Sequence, residues 1–143
     1  MTQKDLFERL DAPLANVRWS WGSVRADGVV FLRVWQDQIR KHEGTLHASV
    51  AGRLDDEDEG GSLGYQERLK HVELVRKGAA CFLILCQADD VAVTPRKVKD
   101  FDRESVFRGG RLVKIEGDWW IELGQRVPVR EAAVAQTGRR VRR

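Results

Sequence analysis

Sulfur and histidine are scarce in this chain, and each scarcity removes a class of function. The only two cysteines, Cys81 and Cys86, are too few for a disulfide scaffold. Five positions apart in a predicted strand, they fall on opposite faces and can neither pair nor share a metal ion. They are read as reduced core residues. The three histidines, His42, His47 and His71, come without zinc-type cysteine partners and without a His-Glu-x-x-His helix. No Asp or Glu stands two positions before a lysine, the spacing by which restriction-type nucleases bring carboxylate and amine to one metal ion. No metal site or cofactor is therefore expected, and neither Gly60-Gly61 nor Gly109-Gly110 carries the rest of a dinucleotide fingerprint or a P-loop.

Long apolar runs are missing as well. The longest, Ala79 to Cys86, is far too short to cross a bilayer, and no signal-peptide core follows Met1-Thr-Gln-Lys-Asp. A cytoplasmic protein with no membrane partner is expected. An excess of one charge is lacking too, except at one place. Arg139, Arg140, Arg142 and Arg143 account for the whole net charge of +3, and removing these four leaves −1. The basic character belongs to a tail, and the rest of the chain is close to neutral.

What the chain has is tryptophan in patterned company. Arg18 to Asp37 places two runs of β-branched and aromatic residues around Ala26-Asp27-Gly28, and Asp-Gly between such runs is a strong hairpin signal because a tight turn needs positive φ. Trp19, Trp21 and Trp35, three of the five tryptophans, lie in it. Alternation along a strand would put Trp19 and Trp21 on one face, either as core or as the wall of a pocket.

The remaining elements follow in order. Thr2-Gln-Lys-Asp5 caps a short helix with Leu6, Phe7 and Leu10 as its apolar stripe. Gln38 to Glu43 reads as a polar connection and Thr45–Ala51 as a third strand. Leu54 to Gly64 carries the acids Asp55 to Glu59 and then Gly60-Gly61-Ser62-Leu63-Gly64, a composition for an exposed loop. Its Gly-x-Ser-x-Gly match lacks the apolar strand that a nucleophile elbow requires. Tyr65 to Lys77 is the best helix, with Tyr65, Leu69, Val72 and Val75 on one stripe and Gly78 as the stop. Ala79 to Gln87 is apolar on both faces, as in a covered central strand. After Thr94-Pro95 the chain offers a strand to Phe101, a turn at Phe107–Gly110, a hairpin across Glu116-Gly117-Asp118, and an edge near Pro128.

The sum is an α+β fold: six or seven strands in a small, curved, mostly antiparallel, barrel-like sheet, with one main helix and a short N-terminal one. Residues 1–130 form one domain, and 131–143 form a basic mobile tail or the start of a linker. By elimination a binding module is favoured over an enzyme. Trp19, Trp21 and Trp35 could enclose a planar group, with Gln36, Asp37, Gln87 and Asp89 at strand ends to read its hydrogen-bonding edge. Arg18, Arg25, Arg33, Arg96, Lys97, Lys99, Arg108 and Arg111 are the candidates for phosphate contacts. The bland alternative is a protein-interaction or regulatory adaptor with structural tryptophans. A small hydrolase using Ser62 or His47 is a third reading.

The Trp-Ser-Trp-Gly hairpin, the Gly-Tyr-Gln-Glu-Arg-Leu helix, the Cys-Phe-Leu-Ile-Leu-Cys strand and the closing Gly-Gly-Arg-Leu-Val and Gly-Asp-Trp-Trp hairpin together resemble a PUA-like small barrel of the SRA, EVE and YTH group. The likeness covers roughly residues 16 to 130 and is one of element order and aromatic placement. It implies a reader of a modified or flipped base, on DNA more than on RNA. It also implies a fused or separate nuclease domain of a modification-dependent restriction system as a partner. The near-neutral body departs from that pattern, since phosphate contacts normally need a basic face.

Overall fold

The computed structural model describes residues 1–52, 63–92 and 97–134. In chain order they form α1 (Gln3–Arg9), β1 (Gly22–Val24), β2 (Val30–Trp35), a 3-10 turn (Gln36–Gln38), β3 (Ile39–His42), β4 (Thr45–Ala51) and α2 (Leu63–Arg76). These are followed by β5 (Cys81–Ala88), β6 (Val98–Phe101), β7 (Ser105–Ile115), β8 (Asp118–Pro128) and α3 (Val129–Ala132). The strands make a single sheet in the order β1-β2-β5-β7-β8-β4-β3, with β6 also on β5. All pairs are antiparallel except β2 with β5, where Val30 faces Cys81 and Trp35 faces Cys86. The fold is α+β as expected, with eight strands in place of six or seven. The expected barrel does not close, because β1 and β3 remain free ends of the strand order. No helix among the described residues is long and apolar enough to cross a membrane.

Two apolar layers explain why both faces of the central strands are hydrophobic. On one side Leu6, Phe7 and Leu10 of α1 and Val129 and Ala132 of α3 cover Phe31, Phe82, Ile84, Cys86, Val106 and Val127. On the other side Val72 of α2 joins Val30, Leu32, Val34, Ala48, Val50, Cys81, Leu83 and Ile121. Cys81 and Cys86 therefore sit in different layers, both free and buried, as the spacing required. Burial pushes their thiols up, to about 12 and about 11, so both are inert.

The sheet curls until β2 and β4 share the second layer, and a buried cation occupies the gap between them. Arg68 of α2, 5% exposed, donates from Nη1 to the Val50 carbonyl at 2.7 Å, and from Nη2 to the carbonyls of Trp21 at 3.1 Å and Arg33 at 2.6 Å. The buried side of α2 consequently runs through Gly64, Arg68, His71 and Val72, while Leu69 of the expected stripe lies outside. A staple of three carbonyls outweighs the packing that one more leucine would have given. Gly78, at φ 111°, ends the helix as expected.

Three local readings change. The polar stretch before Thr45 is a strand, because Ile39–His42 pairs with β4 across Glu43-Gly44, whose φ values of 50° and 83° make a tight hairpin turn. The predicted turn at Phe107–Gly110 lies inside one long strand. There β8 has an extra residue between Leu123 and Arg126, and β7 has one between Gly109 and Leu112, so the glycines mark bulges that bend the ribbon. The domain does not stop at 130 either. Arg25, 3% exposed, donates to the carbonyls of Leu10 at 3.0 Å, Ala132 at 2.7 Å and Val134 at 3.3 Å, tying the chain beyond β8 to the body. The tail from 135 onward, the acidic run, Gly60 and Ser62 lie outside the described residues.

Candidate functional site

The Asp-Gly hairpin forms, but it starts at Gly22. Arg18 and Trp19 lie in a turn, where Ser20 N donates to the Asn16 carbonyl at 2.9 Å. Strand alternation therefore does not govern Trp19 and Trp21. Trp21 leans on α2, its ring 6.2 Å from that of Tyr65, and its indole packs so closely on Gly64 that a Cβ there would stand 2.3 Å from Nε1. Trp35 packs instead on the layer under α1, together with Phe31 and Cys86. The three indoles do not wall one pocket: Trp21 and Trp35 rest on opposite layers of the sheet. Trp119 and Trp120 also divide, Trp119 on the α2 layer and Trp120 beneath Arg40 at 5.5 Å. None of the five is sealed, all being half-buried.

What the fold does bring together is the polar set at one end of the parallel pair. Trp35, Gln36 and Asp37 leave β2 where Gln87 and Asp89 leave β5. Gln87 Nε2 donates to Gln36 Oε1 at 2.9 Å, so the two amides join the strand ends. Asp89 N donates to the Lys97 carbonyl at 2.8 Å, and β6 with Lys99 returns alongside Gln87 and Ala88. Gln36, Asp37, Gln87, Asp89, Lys97 and Lys99 are exposed. The physical reason is common to parallel strands: their C-terminal ends point the same way, and the crossover leaves that rim uncovered.

The expected phosphate set disperses. Lys97 and Lys99 join the rim, whereas Arg108 stands at the other end of β5, 5.3 Å over the Phe82 ring, and Arg111 lies further along β7. Arg18 is exposed in its turn and Arg96 is outside the described residues. Arg33 is half-buried and Arg25 is buried. Arg33 projects under α1, where Nη1 donates to Gln3 Oε1 at 3.0 Å and Nε is buried with no partner. Desolvation holds its guanidinium below the ordinary arginine value. Arg25 pairs with Asp27 at 3.0 Å in the hairpin turn, with both side chains almost fully enclosed.

Sequence reasoning missed a second polar group behind the rim. Ser20 Oγ donates to Glu67 Oε2 at 3.0 Å, and Glu67 Oε1 is buried without a partner. The contact spans 47 positions, so no local pattern could have announced it.

Among the described residues, no cluster of three or more His, Cys, Asp or Glu side chains could hold a metal ion. His47, 3% exposed, donates from Nδ1 to the Thr45 carbonyl at 2.9 Å, and its ring lies edge-on to His42 at 5.4 Å. His71 is buried on α2, where desolvation and then the Arg68 charge push it down to about 4, so it is neutral at ordinary pH. Neither histidine is placed beside a nucleophile by any of these contacts.

The chain matches no family model, and no curated protein or solved structure matches it.

Proposed function

We propose that this chain is a non-catalytic nucleic-acid-binding module that holds a base, modified or extruded from a duplex, at the rim where β2 and β5 end. The observation that carries the reading is the amide bridge from Gln87 to Gln36, with half-buried Trp35 behind it and exposed Lys97 and Lys99 beside it. An indole face stacks with any base, amides and carboxylates read its edge, and ammonium groups take phosphate. Among these parts Trp35 replaces the three-tryptophan cage. The element order supports a PUA-like relationship in the same sense, with an open sheet.

Fluorescence anisotropy with plain and cytosine-modified DNA oligonucleotides at two salt concentrations tests it. Trp35→Ala should weaken binding by about 1–3 kcal/mol, mostly at the expense of discrimination. Lys99→Ala should weaken all sequences alike and reduce the salt slope by about one. Binding that is absent, or indifferent to salt, would sink the proposal.

The adaptor reading draws on a different observation. Leu63, Leu69 and Leu74 of α2 are 57%, 40% and 41% exposed, apolar side chains that a protein partner would cover. It gains if the oligonucleotides fail to bind.

A further inference from the structure

The strand order has two free ends, and the fold treats them differently. At β1, Gly22 and Ser23 are buried, and Ser23 Oγ donates to the Ala12 carbonyl at 2.6 Å, so the chain leaving α1 covers that edge. Among the described residues β3 has no such cover. Arg40 and Lys41 are exposed, Ile39 and His42 are half-buried, and β4 is the one strand paired with them. The register fixes which backbone groups are left over. His42 faces Thr45 across the Glu43-Gly44 turn and Arg40 faces His47, and in a tight antiparallel hairpin these are the pairs that exchange both hydrogen bonds. Ile39 and Lys41 therefore turn N–H and C=O away from the sheet, and no bond among the described residues reaches those groups. An edge in that state is a template for one more strand.

We infer that β3 is a docking edge for an extended acidic segment of a protein partner, added antiparallel to it as a further strand. Charge selects the occupant. Side chains alternate along a strand, so Lys41 stands on the side of Ile39, which packs in the α2 layer, and Arg40 stands on the other, its guanidinium 5.5 Å over the Trp120 ring. One cation thus flanks the edge on each face, and neither forms an ion pair among the described residues. A second copy of the chain is the wrong partner, because β3 laid antiparallel on itself with full overlap sets Arg40 directly against Arg40. Acidic residues opposite Arg40 and Lys41, with an apolar one beside Ile39, remove that conflict. The outward N–H and C=O groups of Ile39 and Lys41 then supply affinity, and the flanking charges supply selectivity. This inference does not rest on the base-binding reading.

The probe is the blocked peptide acetyl-Thr-Glu-Glu-Glu-Val-Thr-amide, whose antiparallel register puts the middle glutamate opposite Lys41 and the valine opposite Ile39. Titrated into the isotope-labelled chain, it should shift the backbone amides of Ile39 and Lys41 most. The same peptide with lysine for glutamate should bind about tenfold more weakly or worse. N-methylation of the middle glutamate and the valine removes the donors aimed at β3 and should also cost about tenfold, whereas N-methylation of the outer glutamates should cost little. Arg40→Glu combined with Lys41→Glu, both at exposed positions, should reverse the preference between the glutamate and lysine peptides. Unmoved amides at Ile39 and Lys41, a preference that the double variant leaves unreversed, or equal loss from the two patterns of N-methylation overturns the proposal. An oligonucleotide that shifts these amides and displaces the peptide gives the edge to nucleic acid, which overturns it as well.

Discussion

Two arginines of the first hairpin show how differently one protein treats a cation at its two ends: Arg25 is buried and Arg33 half-buried. Arg25, at the turn, is nearly inaccessible and donates to an enclosed aspartate and three carbonyls. Arg33, eight positions on at the far end of the ribbon, gives one side-chain bond to Gln3 and keeps a buried N–H with nothing to meet it. Burial of charge alone thus says little about role. The closed end uses its cation to fasten α1 and α3 to the sheet, and the other end ties its cation to α1 through Gln3 alone.

Breaking that contrast gives the largest expected effect. Arg25→Met should destabilise the fold by about 4 kcal/mol, because Asp27 then stays enclosed without its counter-charge and the carbonyls of Leu10 and Ala132 lose their donor. Denaturant midpoints would show it, and a loss below about 1 kcal/mol would mean that the closed end is not fastened as described.

A middle effect comes from acid. His71 is favoured neutral in the fold, from an ordinary 6.5 down to about 4, so the unfolded chain takes up the extra proton in that window. Stability is full above pH 6.5 and falls as pH drops toward 4, by about 2 kcal/mol from this residue. His71→Gln should flatten that part of the profile between pH 6.5 and 4.5. If the slope survives the substitution, carboxylates elsewhere are responsible.

The smallest effect should be at Arg33. Arg33→Met removes an under-satisfied cation from low dielectric and leaves only Gln3 without a partner, so stability should change by less than about 1 kcal/mol. A loss as large as that of Arg25→Met would erase the distinction between the two ends.

The same two residues explain how much could be read from the letters. The first hairpin, α2 with its glycine stop, the doubly covered β5 and the terminal hairpin were legible because local periodicity and turn chemistry encode them. The strand Ile39–His42 was not, since an exposed edge needs few apolar residues and Arg-Lys-His looks like a loop. The Gly109-Gly110 bulges read as a turn for the same local reason. Arg25 and Arg33 looked like surface cations, because their enclosure is decided by groups far away in sequence. At the rim, Gln36, Asp37, Gln87 and Asp89 were readable as polar groups emerging where apolar strands stop. Ser20 and Glu67 were invisible until the chain folded.

The lone parallel pair has a bearing on how this molecule forms. Val30 and Cys81 meet across about fifty residues of intervening chain, whereas the β7–β8 ribbon closes over Glu116-Gly117 alone. Loop-closure entropy therefore favours the terminal ribbon as an early nucleus and delays the zipping of β2 onto β5. Hydrogen exchange should then find amides near Trp35 and Cys86 opening at lower cost than those around Ile121, so the segment that assembles last is also the one where a ligand could most readily be admitted.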